Sequence, residues 1–191
     1  MNRPPQPDRA RFEEVALPFI QRLYNTAWRL TRSPEEAGDL VQETYLRAYR
    51  TFSGFTPGTN CRAWLFTILY SVFSNRYRKK RREPETLSIE ELETRHGDAP
   101  RAESWGSHRR VLDNPDPGWA APEVDRALGL LPPGFRAVVL LVDVEELTYE
   151  EAAQVLGCPV GTVRSRLYRA RKLLFRMLVD YAEKLGYGRR K

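Results

Sequence analysis

Two stretches of the chain repeat apolar residues at helical spacing, and the stretch between them does not. At about 100° per residue, Ala37, Leu40, Val41, Thr44, Tyr45 and Ala48 fall on one arc of a helix over 35–50. Asp39, Gln42, Glu43, Leu46 and Arg50 take the opposite side. In the next helix Trp64, Ile68 and Val72 share a side with Leu65 and Leu69. Phe66, Tyr70, Phe73 and Tyr77 form a second seam, and Thr67, Ser71, Ser74 and Arg78 a narrow polar stripe. Near the C-terminus, Val163, Leu167, Ala170 and Leu174 make a stripe in a helix over 160–176. Start and stop signals agree. Ser33-Pro34-Glu35-Glu36 reads as an N-cap, a first-turn proline and a capping-box glutamate. Thr148-Tyr149-Glu150-Glu151 repeats the capping-box pattern, and Gly157 offers a left-handed stop after Leu156. No alternating run is long enough to predict a strand.

Between these blocks, Pro84, Gly97, Pro100, Gly106, Asn114, Pro115, Pro117 and Gly118 interrupt any periodicity, leaving only Leu87–Thr94 as a short helix. The predicted fold is all-α: two small helical domains joined by a flexible acidic linker, the C-terminal one containing a helix-turn-helix. The expected boundaries are a disordered leader 1–11, a domain 12–83, a linker 84–121, a domain 122–182 and a basic tail 183–191.

Charge sharpens that division. The 191 residues carry a net charge of +6. It divides into +2 over 1–11, +5 over 12–83, −4 over 84–121 and +3 over 122–191. Two basic blocks flank an acidic stretch, which also holds both histidines, His96 and His108. No apolar run approaches the ~20 residues that span a bilayer, and the start is polar and proline-rich, so no signal peptide or membrane insertion is expected and the chain should be cytoplasmic. Cys61 and Cys158 lie far apart without CxxC spacing, which fits a reducing compartment and small filler side chains. Walker, HExxH and Cys/His metal spacings are all missing, so neither an enzyme nor a metal or cofactor site is predicted.

The chemistry is in the basic helices. With Val163 inward, Ser165, Tyr168, Arg169 and Lys172 occupy the opposite arc, with Arg164, Arg166 and Arg171 on the flanks. From Arg164 to Lys172 there are five basic residues and no acidic one, whereas a merely solvated face usually mixes signs. A helix held by one face and offering donors on the other suits the DNA major groove. The aromatic helix ends in Arg76-Tyr77-Arg78-Lys79-Lys80-Arg81-Arg82, and basic residues interleaved with aromatics suit single-stranded nucleic acid. An aromatic seam alone is more often core, and a lone exposed Leu46 is ordinary.

Gly161-Thr162-Val163-Arg164-Ser165-Arg166-Leu167-Tyr168-Arg169-Ala170-Arg171 resembles the promoter-reading helix of bacterial extracytoplasmic-function (ECF) sigma factors of RNA polymerase. Leu131-Pro132, Phe135-Arg136, Tyr149-Glu150-Glu151-Ala152-Ala153 and Gly157 match the family's approach to that helix. The resemblance implies that Ser165, Tyr168 and Arg169 read minus-thirty-five bases, while Thr162 joins the interface. Arg164, Arg166, Arg171 and Lys172 would contact phosphates. Asp39-Leu40-Val41-Gln42-Glu43-Thr44-Tyr45-Leu46-Arg47-Ala48 resembles the helix that binds the polymerase β′ clamp helices. That implies a contact through Asp39, Gln42, Glu43, Leu46 and Arg50, with core polymerase, its β subunit included, as partner.

By the same resemblance Phe55, Thr59, Asn60, Arg62, Ser71, Ser74, Asn75, Arg78 and Lys79 would serve the minus-ten element. Opening DNA costs about 1.4 kcal/mol per stacked step, which gives a pocket for an extruded base its purpose. Pro57-Gly58-Thr59-Asn60, Ala63-Trp64-Leu65-Phe66 and Tyr77-Arg78-Lys79-Lys80 are similar to the subgroup held by zinc-binding, redox-responsive anti-sigma factors. Leu69-Tyr70-Ser71-Val72-Phe73-Ser74 is more apolar than that subgroup's usual stretch. Two other classes, a ligand-responsive helix-turn-helix regulator and a nucleic-acid enzyme, lack a sensor pocket, a heptad repeat or a catalytic cluster in this sequence.

Overall fold

The computed structural model describes residues 9–56, 58–80 and 121–185, with the side chains of 78–80 outside that set. Every element among the described residues is helical. They fall into two compact units, residues 9–80 with 147–160, and residues 121–146 with 161–185. Leu87–Thr94, linker residues 84–120, both histidines and Pro57 lie outside the described residues.

In the first unit, α1 (Arg9–Ala16) runs through a single 3-10 turn, Leu17–Phe19, into α2 (Ile20–Thr31). The first helix therefore begins inside the stretch expected to be a leader. α2 ends at Arg32, which takes the left-handed conformation (φ 62°) and donates its N–H to the Trp28 carbonyl. That stop carries no glycine signal. α3 (Pro34–Thr51) opens on the expected N-cap, Ser33, whose side chain accepts the Glu36 N–H at 3.3 Å. The return arm of the predicted capping box is diverted: the Ser33 N–H donates to Thr31 Oγ1 instead, at 3.4 Å.

The predicted inner arc of α3 is the packed one. Ala37, Leu40, Val41, Thr44 and Ala48 are buried, and Thr44 satisfies its hydroxyl by donating to the Leu40 carbonyl at 2.7 Å. α2 and α3 pack on each other and both on α4 (Cys61–Lys80), while α1 also lies against α4. Tyr45 ties the layers together by donating its hydroxyl to the Ala16 carbonyl at 2.8 Å. On α4 the two predicted seams are not the dividing line. Leu65, Phe66, Leu69, Val72 and Phe73 are buried as one arc. Trp64 and Ile68 lie half-exposed on one margin, Tyr70 and Tyr77 on the other. Tyrosines at the edge of a core keep their hydroxyls within reach of water or a polar partner.

α7 (Tyr149–Leu156) packs against α4 within this unit. Both arms of its predicted capping box form: Glu151 N–H to Thr148 Oγ1 at 3.1 Å, and Thr148 N–H to Glu151 Oε2 at 2.9 Å. Its far end stops as predicted. Gly157 is left-handed (φ 61°), with Gly157 N–H to the Gln154 carbonyl and Cys158 N–H to the Ala153 carbonyl, a Schellman motif.

The second unit contains α5 (Pro122–Leu130), α6 (Pro133–Val139), a π turn over Leu140–Val144, and α8 (Val160–Lys184) from Gly161 onward. Arg136 is 8% exposed and holds the end of α5. Its Nε donates to the Leu128 carbonyl at 2.9 Å, and its Nη2 to those of Gly129 at 2.7 Å and Leu131 at 3.0 Å. α8 extends two residues past the expected domain end at 182. Val163, Leu167 and Ala170 are buried as predicted, but the fourth buried residue is Leu173, and Leu174 is half-exposed. A stripe that shifts along a helix is expected where helices cross at an angle instead of lying parallel.

Candidate nucleic-acid and polymerase interfaces

The recognition helix divides cleanly. Arg164, Ser165, Tyr168 and Arg169 are exposed, Tyr168 by 58%. Thr162, Arg166 and Lys172 are half-exposed. Ser165 donates its hydroxyl back to the Thr162 carbonyl at 3.1 Å. The Arg166 guanidinium carbon lies 3.9 Å from where a Cβ on Gly134 would stand, so it rests against the start of α6 at ordinary contact distance. Arg171 is held by a carboxylate. Its Nε donates to Asp143 Oδ2 at 3.1 Å and its Nη2 to Asp143 Oδ1, making a forked ion pair with the π turn.

On α3, Asp39, Gln42, Leu46 and Arg50 are exposed and Glu43 is half-exposed. Leu46 is 47% exposed, an apolar side chain on a polar face. Glu43 pairs with Arg47 at 2.7 Å one turn on, and the hydrogen bond from Arg47 is the main reason its carboxyl titrates below the usual value.

The predicted minus-ten set divides into two groups. Ser71 and Asn75 are exposed and Ser74 half-exposed on the polar side of α4; Arg78 and Lys79 continue the helix. At its N-terminus the residues are engaged within the protein. Phe55 stacks on Phe52 (centroids 5.7 Å apart, planes 10°) and lies 4.9 Å from Trp64. Thr59 donates its hydroxyl to the Thr56 carbonyl at 2.7 Å. Asn60 caps α4 by accepting the Ala63 N–H on Oδ1 at 3.2 Å. Its Nδ2 donates to Glu151 Oε1 at 2.5 Å.

Glu151 thus serves both its own helix and the N-cap of α4. Burial raises its carboxyl pKa and is the largest single influence. The Thr148 backbone, the Asn60 amide, the Thr148 side chain and the Arg62 charge together outweigh it, leaving the pKa below 4.5.

Sequence reasoning missed the structural duties of Asn60, Arg136 and Asp143. Asn60 carried a readable signal, an N-cap residue type immediately before a long apolar run. Arg136 and Asp143 carried none, because their partners are set by tertiary packing. Cys61 is buried, donates weakly to the Val15 carbonyl at 3.6 Å and has a thiol pKa raised by burial, in keeping with a filler role. Among the described residues no group of three or more His, Cys, Asp or Glu could hold a metal ion. Nor is any helix among them long and apolar enough to cross a membrane.

The sigma-70 region 2 family model matches residues 18–83, and the sigma-70 region 4 model matches residues 122–174. The chain is 40% identical over 175 residues to the ECF RNA polymerase sigma factor EcfG of Rhodopseudomonas palustris, covering 89% of this chain and 87% of that one. It is 31% identical over 163 residues to the ECF RNA polymerase sigma-E factor of Haemophilus influenzae, covering 82% and 83%. Among solved structures it is similar to the sigma factor RpoE of Bartonella quintana, co-crystallised with the anti-sigma factor NepR. That likeness has a TM-score of 0.65 and 30% identity, covering 88% of this chain and 97% of that one.

Proposed function

Because the chain belongs to the ECF sigma factors of RNA polymerase, we propose that it binds core polymerase, selects promoters by their minus-thirty-five and minus-ten elements, and initiates transcription of a stress-type regulon. The observation that carries this reading is the division of α8. Val163, Leu167 and Ala170 anchor it, and Arg164, Ser165, Tyr168 and Arg169 are presented outward. That is the geometry a groove-reading helix requires.

In this reading residues 12–83 are sigma region 2 and 122–182 sigma region 4. Ser165, Tyr168 and Arg169 read minus-thirty-five bases; Thr162, Arg164, Arg166 and Lys172 position the helix on the backbone. The polar side of α4, with Arg62, Ser71, Ser74 and Asn75, serves the minus-ten strand. Phe55, Thr59 and Asn60 shape the loop leading into it. Leu46, rimmed by Asp39, Gln42, Glu43 and Arg50, is the apolar centre of the polymerase contact, as suits a reversible interface. No chemical step falls to the chain itself.

Run-off transcription with purified core polymerase tests the proposal. A promoter-dependent transcript should appear only when this protein is added, and no such transcript from any ECF-type promoter would sink the reading.

An anti-sigma partner follows from the likeness to a sigma factor crystallised with NepR. A zinc-binding type rests on the sequence motifs alone, Pro57–Asn60, Ala63–Phe66 and Tyr77–Lys80. Exposing the purified sigma–anti-sigma complex to a zinc chelator decides between types. A complex that survives with no zinc released excludes the zinc-binding partner.

A further inference from the structure

Among the basic residues from Arg164 to Lys172, Arg171 is committed to a carboxylate. Arg171 shares a flank of α8 with Arg164, seven residues or about two turns earlier. On periodicity alone both should reach the DNA backbone. Yet Asp143 takes two of the Arg171 donors, Nε and Nη2, in the parallel fork that a guanidinium and a carboxylate form. The pair is not a loose surface contact. The Asp143 side chain is only 24% exposed and that of Arg171 40%. Asp143 itself sits in the π turn Leu140–Val144, closed by the Glu145 N–H bonding the Leu140 carbonyl at 2.9 Å. Such wide turns are rare and gather at functional positions.

A guanidinium held this way has its charge neutralised where a phosphate would feel it. To bridge to DNA it would have to leave Asp143, and a half-buried carboxylate would then face the phosphates without its partner. We propose that Asp143 is a positioning residue that withholds Arg171 from the DNA backbone, bracing α8 against the π turn and subtracting one phosphate contact from the recognition helix. The inference rests on the reading of α8 as a DNA-binding helix. Its consequence concerns specificity. Each phosphate contact strengthens binding to every sequence alike, so removing one lowers non-specific affinity while the base readers Ser165, Tyr168 and Arg169 are untouched. A chain that depends on polymerase to find promoters gains by not adhering to duplex DNA on its own.

The test uses the full chain and a fluorescent mixed-sequence DNA duplex, with affinity measured from 50 to 200 mM salt. Each phosphate contact contributes a slope of about −0.9 in log affinity against log salt. Asp143→Asn should steepen the slope by about 0.9, adding roughly a 3.5-fold loss of affinity across that range, and bind more tightly at 50 mM. The double variant Asp143→Asn/Arg171→Gln should return to the wild-type slope. Arg171→Gln alone would leave the Asp143 carboxylate facing the phosphates unpaired, so the double variant, which carries neither charge, decides the question if Asp143→Asn alone unfolds, as circular dichroism would show. Three results overturn the inference: no steepening in folded Asp143→Asn, a double variant that stays steep because the lost negative charge acts on its own, or a double variant with a shallower slope than the wild type because Arg171 was already a phosphate contact. A wild-type chain with no salt-dependent binding would instead remove the DNA reading of α8, and this inference with it.

Discussion

Arg136→Ala should cost the second unit about 3–5 kcal/mol, because three charge-assisted hydrogen bonds to backbone carbonyls are lost together. α5 has only nine residues, too few to persist alone in water, so its end must be held from outside. Arg136 does this with three bonds to the carbonyls of Leu128, Gly129 and Leu131. Each charge-assisted bond contributes about 1.5–3 kcal/mol. Their sum is an upper bound, because water enters the space that alanine leaves. Arg136→Lys should fall between, at about 1–3 kcal/mol, since a single ammonium cannot span three acceptors as a planar fork does.

Hydrogen exchange followed by mass spectrometry reads the effect region by region. At tenfold per 1.36 kcal/mol, amides of 121–146 and 161–185 should lose roughly 150-fold or more of their protection. Those of 9–80 should change far less. A loss below about fivefold in the second unit would mean that water replaces the guanidinium almost without cost, and the argument from buried carbonyls would fail. An equal loss in both units would mean that the chain opens as a single cooperative body.

Three further outcomes are expected. Glu151 has a folded pKa below its ordinary 4.5, so its stabilising contribution is fully present above that value and is lost as pH falls through the folded pKa. Glu151→Gln keeps a capping-box residue but cannot titrate, so subtracting its acid-unfolding curve from that of the wild type should leave a component confined to pH below about 5; a flat difference refutes the linkage. Leu46→Asp should weaken binding to core polymerase at least tenfold, about 1.4 kcal/mol, with little change in Tm because Leu46 is 47% exposed; unchanged affinity would return Leu46 to the status of an ordinary surface leucine. Arg169→Ala should relax minus-thirty-five discrimination by about 1–3 kcal/mol, whereas equal weakening on all promoter variants would make Arg169 a phosphate contact.

What could be read from the sequence was whatever depends on one helix at a time. The inner arc of α3, the stripe Val163–Leu167–Ala170, the Thr148–Glu151 capping box and the Gly157 stop are all local, and all appear in the structure. What escaped depends on a second element arriving. The Ser33 box lost its return arm because the Ser33 N–H donates to Thr31 Oγ1 at the end of α2. The π turn at 140–144 lies in an apolar run, Ala137–Val142, where periodicity gives no sign of an extra residue in the turn. Arg171 looked like a phosphate contact because a basic residue on a helix flank is judged by what surrounds it in sequence, and Asp143 is 28 residues away.

Asn60, too, is claimed by a second element, α7. A residue that the resemblance assigns to the minus-ten element is the N-cap of α4 and a partner of Glu151, so two of its functional atoms are engaged before any DNA arrives. If the loop does hold an extruded base, Asn60 acts by fixing where α4 begins, and the donors that meet the base come from elsewhere on its exposed side. Substituting Asn60 by Asp or Ser, which keep a cap, should then preserve minus-ten function better than Ala, which loses about 1 kcal/mol of helix start. A base-reading amide would be lost equally in all three.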